Sequence, residues 1–275
     1  MPLQICGMTM SDNDSTQAAM SLDEVSFGYE PGMAVLHKIS GVLPAGRICA
    51  LIGPNAAGKS TLLRLMLGHL RPWTGHVVLR GTDVLRLPEK HRAALVSFVP
   101  QRGSIAFTFT VRQVVEMGRF ALGPDPDAAD MALKICDLEA VQQRVFGHLS
   151  VGQQQRVLLA RAMAQSRGFG QVMLLDEPTS AMDLHHVYQC MDRLVQLARS
   201  GLAVLVVLHD LNLAARYADE VWLMDGGRLV AAGCWADVLC REILEPVYQV
   251  TLQTLTVENS TRPLFWAEPT GTLLS

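Results

Sequence analysis

Residues 53–61 read Gly-Pro-Asn-Ala-Ala-Gly-Lys-Ser-Thr, a spacing suited to holding a phosphate chain. The stretch fits a glycine, four free positions and then Gly-Lys-Ser/Thr. Apolar residues 48–52 precede it and a helix-like run from Thr61 to Leu67 follows, the strand–loop–helix context the motif needs. Gly53 and Gly58 let the backbone curl so that successive N–H groups face phosphate oxygens. A helix starting near Lys59 adds the positive end of its dipole. In this arrangement Lys59 reaches the β- and γ-phosphates and the Ser60 hydroxyl holds Mg²⁺. Pro54, Asn55, Ala56, Ala57 and Thr61 complete the cradle. The predicted ligand is ATP or GTP. A chance match in a glycine-rich turn is the alternative, and the flanking strand and helix weigh against it.

Two further segments carry chemistry. The apolar run Val172–Leu175 ends in Asp176-Glu177. If that strand lies beside the P-loop strand, Asp176 falls near the Mg²⁺, and Glu177 can polarise a water for attack on the γ-phosphate. The alternative is a strand ending in a solvated acidic turn. Leu149-Ser150-Val151-Gly152-Gln153-Gln154-Gln155-Arg156 precedes a helix. A serine and a glycine there offer a hydroxyl and free N–H groups, a second anion-binding end. Taken alone, an ordinary N-cap is the simpler reading.

The elements that must position these residues are legible in outline. Strands are predicted at 22–27, 35–42, 77–80, 96–99, 172–175, 203–208, 221–224 and 228–231. Helical periodicity occupies 111–119, 128–136, 152–166, 184–199 and 210–218. Met224-Asp225-Gly226-Gly227-Arg228 reads as a hairpin turn, and 123–127 as a loop between helices. The pattern is a βα-alternating nucleotide-binding core interrupted by helices between about 103 and 165. Two short helices are expected after about 234. Residues 1–20 are read as a disordered leader and 251–275 as a tail of weak pattern.

Composition narrows the class. The chain has 275 residues, 49% of them hydrophobic, enough for a large core. No apolar run reaches the roughly 18–20 residues of a membrane span, and no basic-then-apolar signal opens the chain. A net charge of −3 without a long basic tract argues against nucleic acid. Cys6, Cys49, Cys136, Cys190, Cys234 and Cys240 are scattered, which favours buried thiols over a disulfide framework or a zinc site.

The segment 149–156 resembles the Leu-Ser-Gly-Gly-Gln signature of ABC ATPases, and the family's other landmarks follow in order across about 20–250. By that resemblance Tyr29 stacks on adenine and Gln101 is the Q-loop glutamine, a γ-phosphate and metal contact. Ser180-Ala181-Met182-Asp183 is the D-loop, and His209 is the switch histidine. Each has a plain alternative: a surface aromatic, hydrogen-bonded loop residues, and a helix cap for Asp183. The resemblance implies a P-loop NTPase core of mostly parallel sheet, an antiparallel β subdomain and a helical subdomain. It also implies a head-to-tail homodimer in which Ser150, Gly152 and Gln153 of one copy complete the ATP site of the other. Catalysis falls to Glu177 and His209, with Ser60, Gln101 and Asp176 around Mg²⁺. Two positions depart from the family pattern. Val151 stands where glycine is usual and is expected to crowd the partner's γ-phosphate. Ala56 replaces a frequent glycine and costs little provided its φ stays negative.

With one nucleotide-binding domain and no membrane span, the chain resembles the detached ATPase subunit of a bacterial importer. Phe107–Arg119, Asp183-Leu184-His185-His186 and residues 209–217 resemble the iron–siderophore, haem and vitamin B12 group. The first of these would grip a helix of an integral membrane permease, and a periplasmic binding protein would be an indirect partner. Such a subunit sits peripherally on the cytoplasmic face of the inner membrane. Ferric siderophore ranks first as cargo, haem second and cobalamin third. A soluble ABC ATPase without a transporter is the rival. The His185-His186 pair is not read as a metal site, because adjacent helical side chains diverge by about 100°.

Overall fold

The computed structural model describes residues 18–101, 103, 108–168, 170–256 and 261–269. Most of the leader (1–17, with Cys6), Phe107 of the permease-contact segment, and tail residues 257–260 and 270–275 lie outside the described residues.

In chain order the first half contains β1 (Ala18–Phe27), β2 (Leu36–Pro44), β3 (Ile48–Ile52), α1 (Lys59–Met66), β4 (Thr74–Leu79), β5 (Thr82–Asp83), α2 (Glu89–Leu95) and β6 (Val96–Val99). The helical subdomain supplies α3 (Val111–Glu116), α4 (Pro126–Ile135) and α5 (Val151–Ser166). The chain then returns through β7 (Val172–Leu175), α6 (Leu184–Arg199), β8 (Ala203–Val207), α7 (Leu211–Tyr217), β9 (Glu220–Asp225) and β10 (Arg228–Cys234). It closes with α8 (Trp235–Val238), α9 (Arg241–Tyr248), β11 (Val250–Thr256) and β12 (Pro263–Pro269).

The central sheet runs β10-β9-β3-β8-β7-β6. All its neighbours are parallel except the β9–β10 hairpin. Its inner strands are buried on both faces, which is why they read as unbroken apolar runs. Alternation along them splits the core in two. Ile48, Ala50 and Ile52 of β3 pack on the helical side. Cys49 and Leu51 point to the other side, where α1 and a second sheet, ordered β2-β1-β4-β5 and antiparallel, close the core. β7 and β8 divide in the same way, Met173 and Leu175 against Val172 and Leu174, and Val204 and Val206 against Leu205 and Val207. β1 begins at Ala18, inside the stretch read as leader and four residues before the alternation becomes legible at Leu22.

One detail corrects the expected topology. The strand carrying Asp176-Glu177 does not lie beside the P-loop strand; β8 stands between β3 and β7. The order still serves the site. Reading across the sheet, the C-terminal ends of β3, β8, β7 and β6 lead into the P-loop, His209, Asp176-Glu177 and Gln101. Ligands of open α/β sheets bind outside these strand ends.

Helix boundaries follow local chemistry. Thr110 with Gln113, and Ser150 with Gln153, form reciprocal capping boxes at α3 and α5. Asp125 caps α4 and is followed by Pro126, whose missing N–H costs nothing in the first turn. The tail is more ordered than its pattern promised. β11 and β12 pair antiparallel, with Leu252 opposite Ala267 and Leu255 opposite Leu264. The hairpin buries Leu252 and Phe265 in the helical-side core.

Candidate active site

The fully buried strand β3 delivers the chain into the phosphate loop. Gly53 has φ 145, and a Cβ there would stand 2.1 Å from the Met224 carbonyl oxygen, so a side chain is excluded. Gly58, at φ 98, is the N-cap of α1 and provides no side-chain cap, which leaves the first N–H groups of the helix free to face an anion. Residues 55–61, with Val35 and Glu177, line a cavity of about 290 Å³. Ala56 takes φ 63. The proviso under which alanine would cost little here, a negative φ, is not met, and the left-handed backbone costs an alanine about 1–2 kcal/mol.

Lys59 is 7% exposed. Its Nζ donates to the carbonyls of Gly53 at 2.7 Å and Pro54 at 2.9 Å. Burial pulls its pKa below the usual lysine value, and the charges of Glu177 and Asp176 partly offset this. Asp176 is also buried, and burial raises its carboxyl above the ordinary range. A hydrogen bond with the Ser60 side chain opposes that rise, and the Glu177 charge adds to it. Asp176 Oδ1 is buried without a hydrogen-bond partner. An orphaned carboxylate oxygen is costly, and here it sits beside a hydroxyl at the mouth of a phosphate loop. An oxygen-seeking cation such as Mg²⁺, bound through a carboxylate and a hydroxyl, fits that pair.

Because β7 lies between β6 and β8, Glu177 lies between the residues that follow those strands. Gln101 Nε2 donates to Glu177 Oε2 at 2.5 Å, and His209 Nε2 lies 2.5 Å from Glu177 Oε1. Glu177 itself has φ 48, a strained conformation of the kind that clusters at functional sites. Tyr29, 55% exposed, reaches the same helix: its hydroxyl is 3.2 Å from Thr61 Oγ1 and accepts from Arg64 Nη1 at 3.3 Å. Sequence reading missed Arg64 and Val35. Arg64 could have been found, since i,i+3 spacing puts Thr61 and Arg64 on one face of α1.

The remaining candidates lie elsewhere. Ser150, Gly152, Gln153 and Asp183 contribute nothing to the lining of the P-loop cavity. Ser150 Oγ accepts from Gln153 N–H at 3.3 Å, and Gln153 Oε1 accepts from Ser150 N–H at 3.2 Å. Gln153 is therefore engaged as a cap partner. Val151 projects from this helix start, 67% exposed. A Cβ on Gly152 would lie 2.7 Å from the Ala181 carbonyl oxygen, so the signature segment and the D-loop are in contact. Asp183 caps α6, accepting from His186 N–H at 3.0 Å with the His186 ring nitrogen 2.7 Å away.

A family model described as ABC transporter matches residues 36–180, more than half of the chain. The protein belongs to the ABC transporter ATPase family. As an ABC ATPase it binds and hydrolyses ATP. The hemin import ATP-binding protein HmuV of Rhodococcus jostii (strain RHA1) is 43% identical over 223 residues, covering 79% of this chain and 75% of that one. The protein of the same name from Rhizobium meliloti (strain 1021) is 38% identical over 226 residues, covering 79% and 86%. Among solved structures, an inward-facing metal-chelate type ABC transporter matches with TM-score 0.75 and 28% identity, over 91% of this chain and 97% of that one. An ATP-bound bacterial Atm1-family ABC exporter reaches the same TM-score at 27% identity, over 84% of this chain and 41% of that one. Among the described residues, no helix is long and apolar enough to cross a membrane.

Proposed function

We propose that the chain is the ATP-hydrolysing subunit of an importer, working as a head-to-tail dimer on a membrane permease. The observation that carries the reading is Glu177, held between Gln101 and His209 beside the buried Lys59 and the orphaned oxygen of Asp176. Lys59 leaves its two carbonyl acceptors to meet the β- and γ-phosphates. Tyr29 stacks on the base. Glu177, once released by Gln101 and His209, takes the proton of the attacking water. His209 and Gln101 then turn to the γ-phosphate. Ser60, Gln101 and Asp176 would hold Mg²⁺, which supplies charge neutralisation for the phosphates when bound.

The dimer reading rests on the exposed helix start at Ser150. It presents N–H groups and a hydroxyl away from its own chain's cavity, where a second copy's nucleotide can meet them. ATP held by both copies closes the pair, and hydrolysis opens it. The permease link makes the protein peripheral on the cytoplasmic face of the membrane, with a periplasmic binding protein as indirect partner.

For cargo, the hemin import relatives support haem ahead of the ferric siderophore ranked first from the sequence. The test is growth on a single iron source. Deleting the gene should abolish growth on hemin and spare growth on ferric siderophore, and restoring Glu177→Gln should not rescue it. Growth on hemin without the gene would reject the cargo. Phosphate release by purified Glu177→Gln at the wild-type rate would reject the catalytic assignment.

A further inference from the structure

Residues 261–269 show no chemistry in their sequence, yet they hold the helix that follows His209. α7 is seven residues long, too short to be stable alone, so its place depends on what it touches. Asp210 caps its start, accepting from Asn212 N–H at 2.7 Å and Leu213 N–H at 3.3 Å. The Asn212 side chain turns the other way, onto β12. Its Nδ2 donates to the Phe265 carbonyl at 3.2 Å, and its Oδ1 accepts from Phe265 N–H at 2.7 Å. The amide thus meets both backbone groups of a buried strand residue, as a neighbouring strand's peptide would. At the far end of α7, Arg262 Nη1 donates to the carbonyls of Ala215, at 2.8 Å, and Ala218. Its guanidinium lies 4.5 Å from the Trp235 ring centre. One hairpin therefore grips both ends of the helix. On another side, Tyr217 Oη donates to Asp192 of α6 at 3.0 Å.

We infer that Asn212 is a positioning residue for ATP hydrolysis: through its paired bonds to Phe265, the C-terminal hairpin fixes the start of α7 and so sets His209 against Glu177. Neither Asn212 nor His209 lines the P-loop cavity, but Glu177 does, and His209, three residues before Asn212, contacts Glu177; Asn212 acts along that path. The inference rests on the reading of His209 as a γ-phosphate contact.

The experiment compares kcat, KM for ATP and Tm for the wild-type full chain, Asn212→Ala, Asn212→Asp, His209→Ala and the Asn212→Ala/His209→Ala double variant. Asp at 212 keeps the acceptor for Phe265 N–H and loses the donor to its carbonyl. Asn212→Ala should lower kcat about five- to tenfold with KM within about twofold and Tm little changed, and Asn212→Asp should fall between. In the His209→Ala background the same change should cost less than about twofold, because residues that act as a unit are not additive. Wild-type kcat in Asn212→Ala beside a slow His209→Ala would overturn the proposal alone. So would full additivity, or a loss that follows Tm and KM together. If Asn212→Ala does not fold, Asn212→Asp carries the same comparison. A His209→Ala chain at full rate would remove the underlying reading and this inference with it.

Discussion

The chain has two helix starts that the proposed function assigns to anions, and they are finished differently. At α1 the N-cap is a glycine with no side-chain cap, Lys59 is buried, and an aspartate oxygen has no partner. At α5 the start is capped by its own Ser150–Gln153 box, and an exposed Val151 projects from it. The first carries unmet charge and open N–H groups within one chain. The second has met its own needs and faces outward. A site whose polar groups are left unsatisfied gains most when ligand arrives; a self-capped one can wait for a partner without cost. On the proposed head-to-tail reading, the contrast would let one chain bind nucleotide by itself and still need a second copy to act on it.

The largest expected effects fall on the α1 side. Lys59→Ala and Glu177→Gln should each lower phosphate release by about 10²–10³-fold, typical for loss of a placed charge or base. Nucleotide binding should fall only in Lys59→Ala, as read by equilibrium binding of a fluorescent ATP analogue. Equal binding losses in both would blur the division between holding the phosphates and attacking them. On the α5 side, Ser150→Ala should leave binding to the isolated chain unchanged while hydrolysis drops about tenfold, with a stability loss of ~1 kcal/mol from the missing cap. Lost binding in the isolated chain would break the contrast. Val151→Gly should raise turnover about two- to threefold, a barrier change under ~1 kcal/mol; an unchanged rate would show that the side chain does not crowd the partner's phosphate. The smallest effect belongs to Ala56→Gly. Relief of ~1–2 kcal/mol of left-handed strain, less ~0.4–1 kcal/mol of added unfolded-state entropy, should raise Tm by a few degrees in a thermal melt. No rise would mean that the loop relaxes around the alanine.

Much of this was legible in the residues, and the exceptions have physical causes. Strands Val96–Val99 and Val172–Leu175 and helix Leu184–Arg199 match their sequence boundaries, because buried parallel strands and a long amphipathic helix write their period plainly. The phosphate loop was legible because its glycines encode backbone shape directly. The sign of φ at Ala56 was not, since alanine's type does not announce a strained torsion that the surroundings impose. Strand order was not legible either: nothing in Asp176 or His209 says that β8 separates β3 from β7. The cap role of Gln153 was legible too, because Ser-x-x-Gln at a helix start is the capping-box spacing. The C-terminal hairpin escaped because Leu252 and Phe265 are its only buried apolar side chains among the described residues, too few to set a period. Its role came from backbone groups, which sequence does not show.

The contacts of Glu177 have a consequence for copies that are not engaged in transport. Both of its oxygens are occupied before fuel arrives, one by an amide and one by an imidazole. A carboxylate so occupied is poorly placed to draw a proton from water. A lone copy surrounded by ATP would therefore idle, leaving the surrounding pool intact. On the proposed head-to-tail dimer, docking of a second copy would be what frees the trigger.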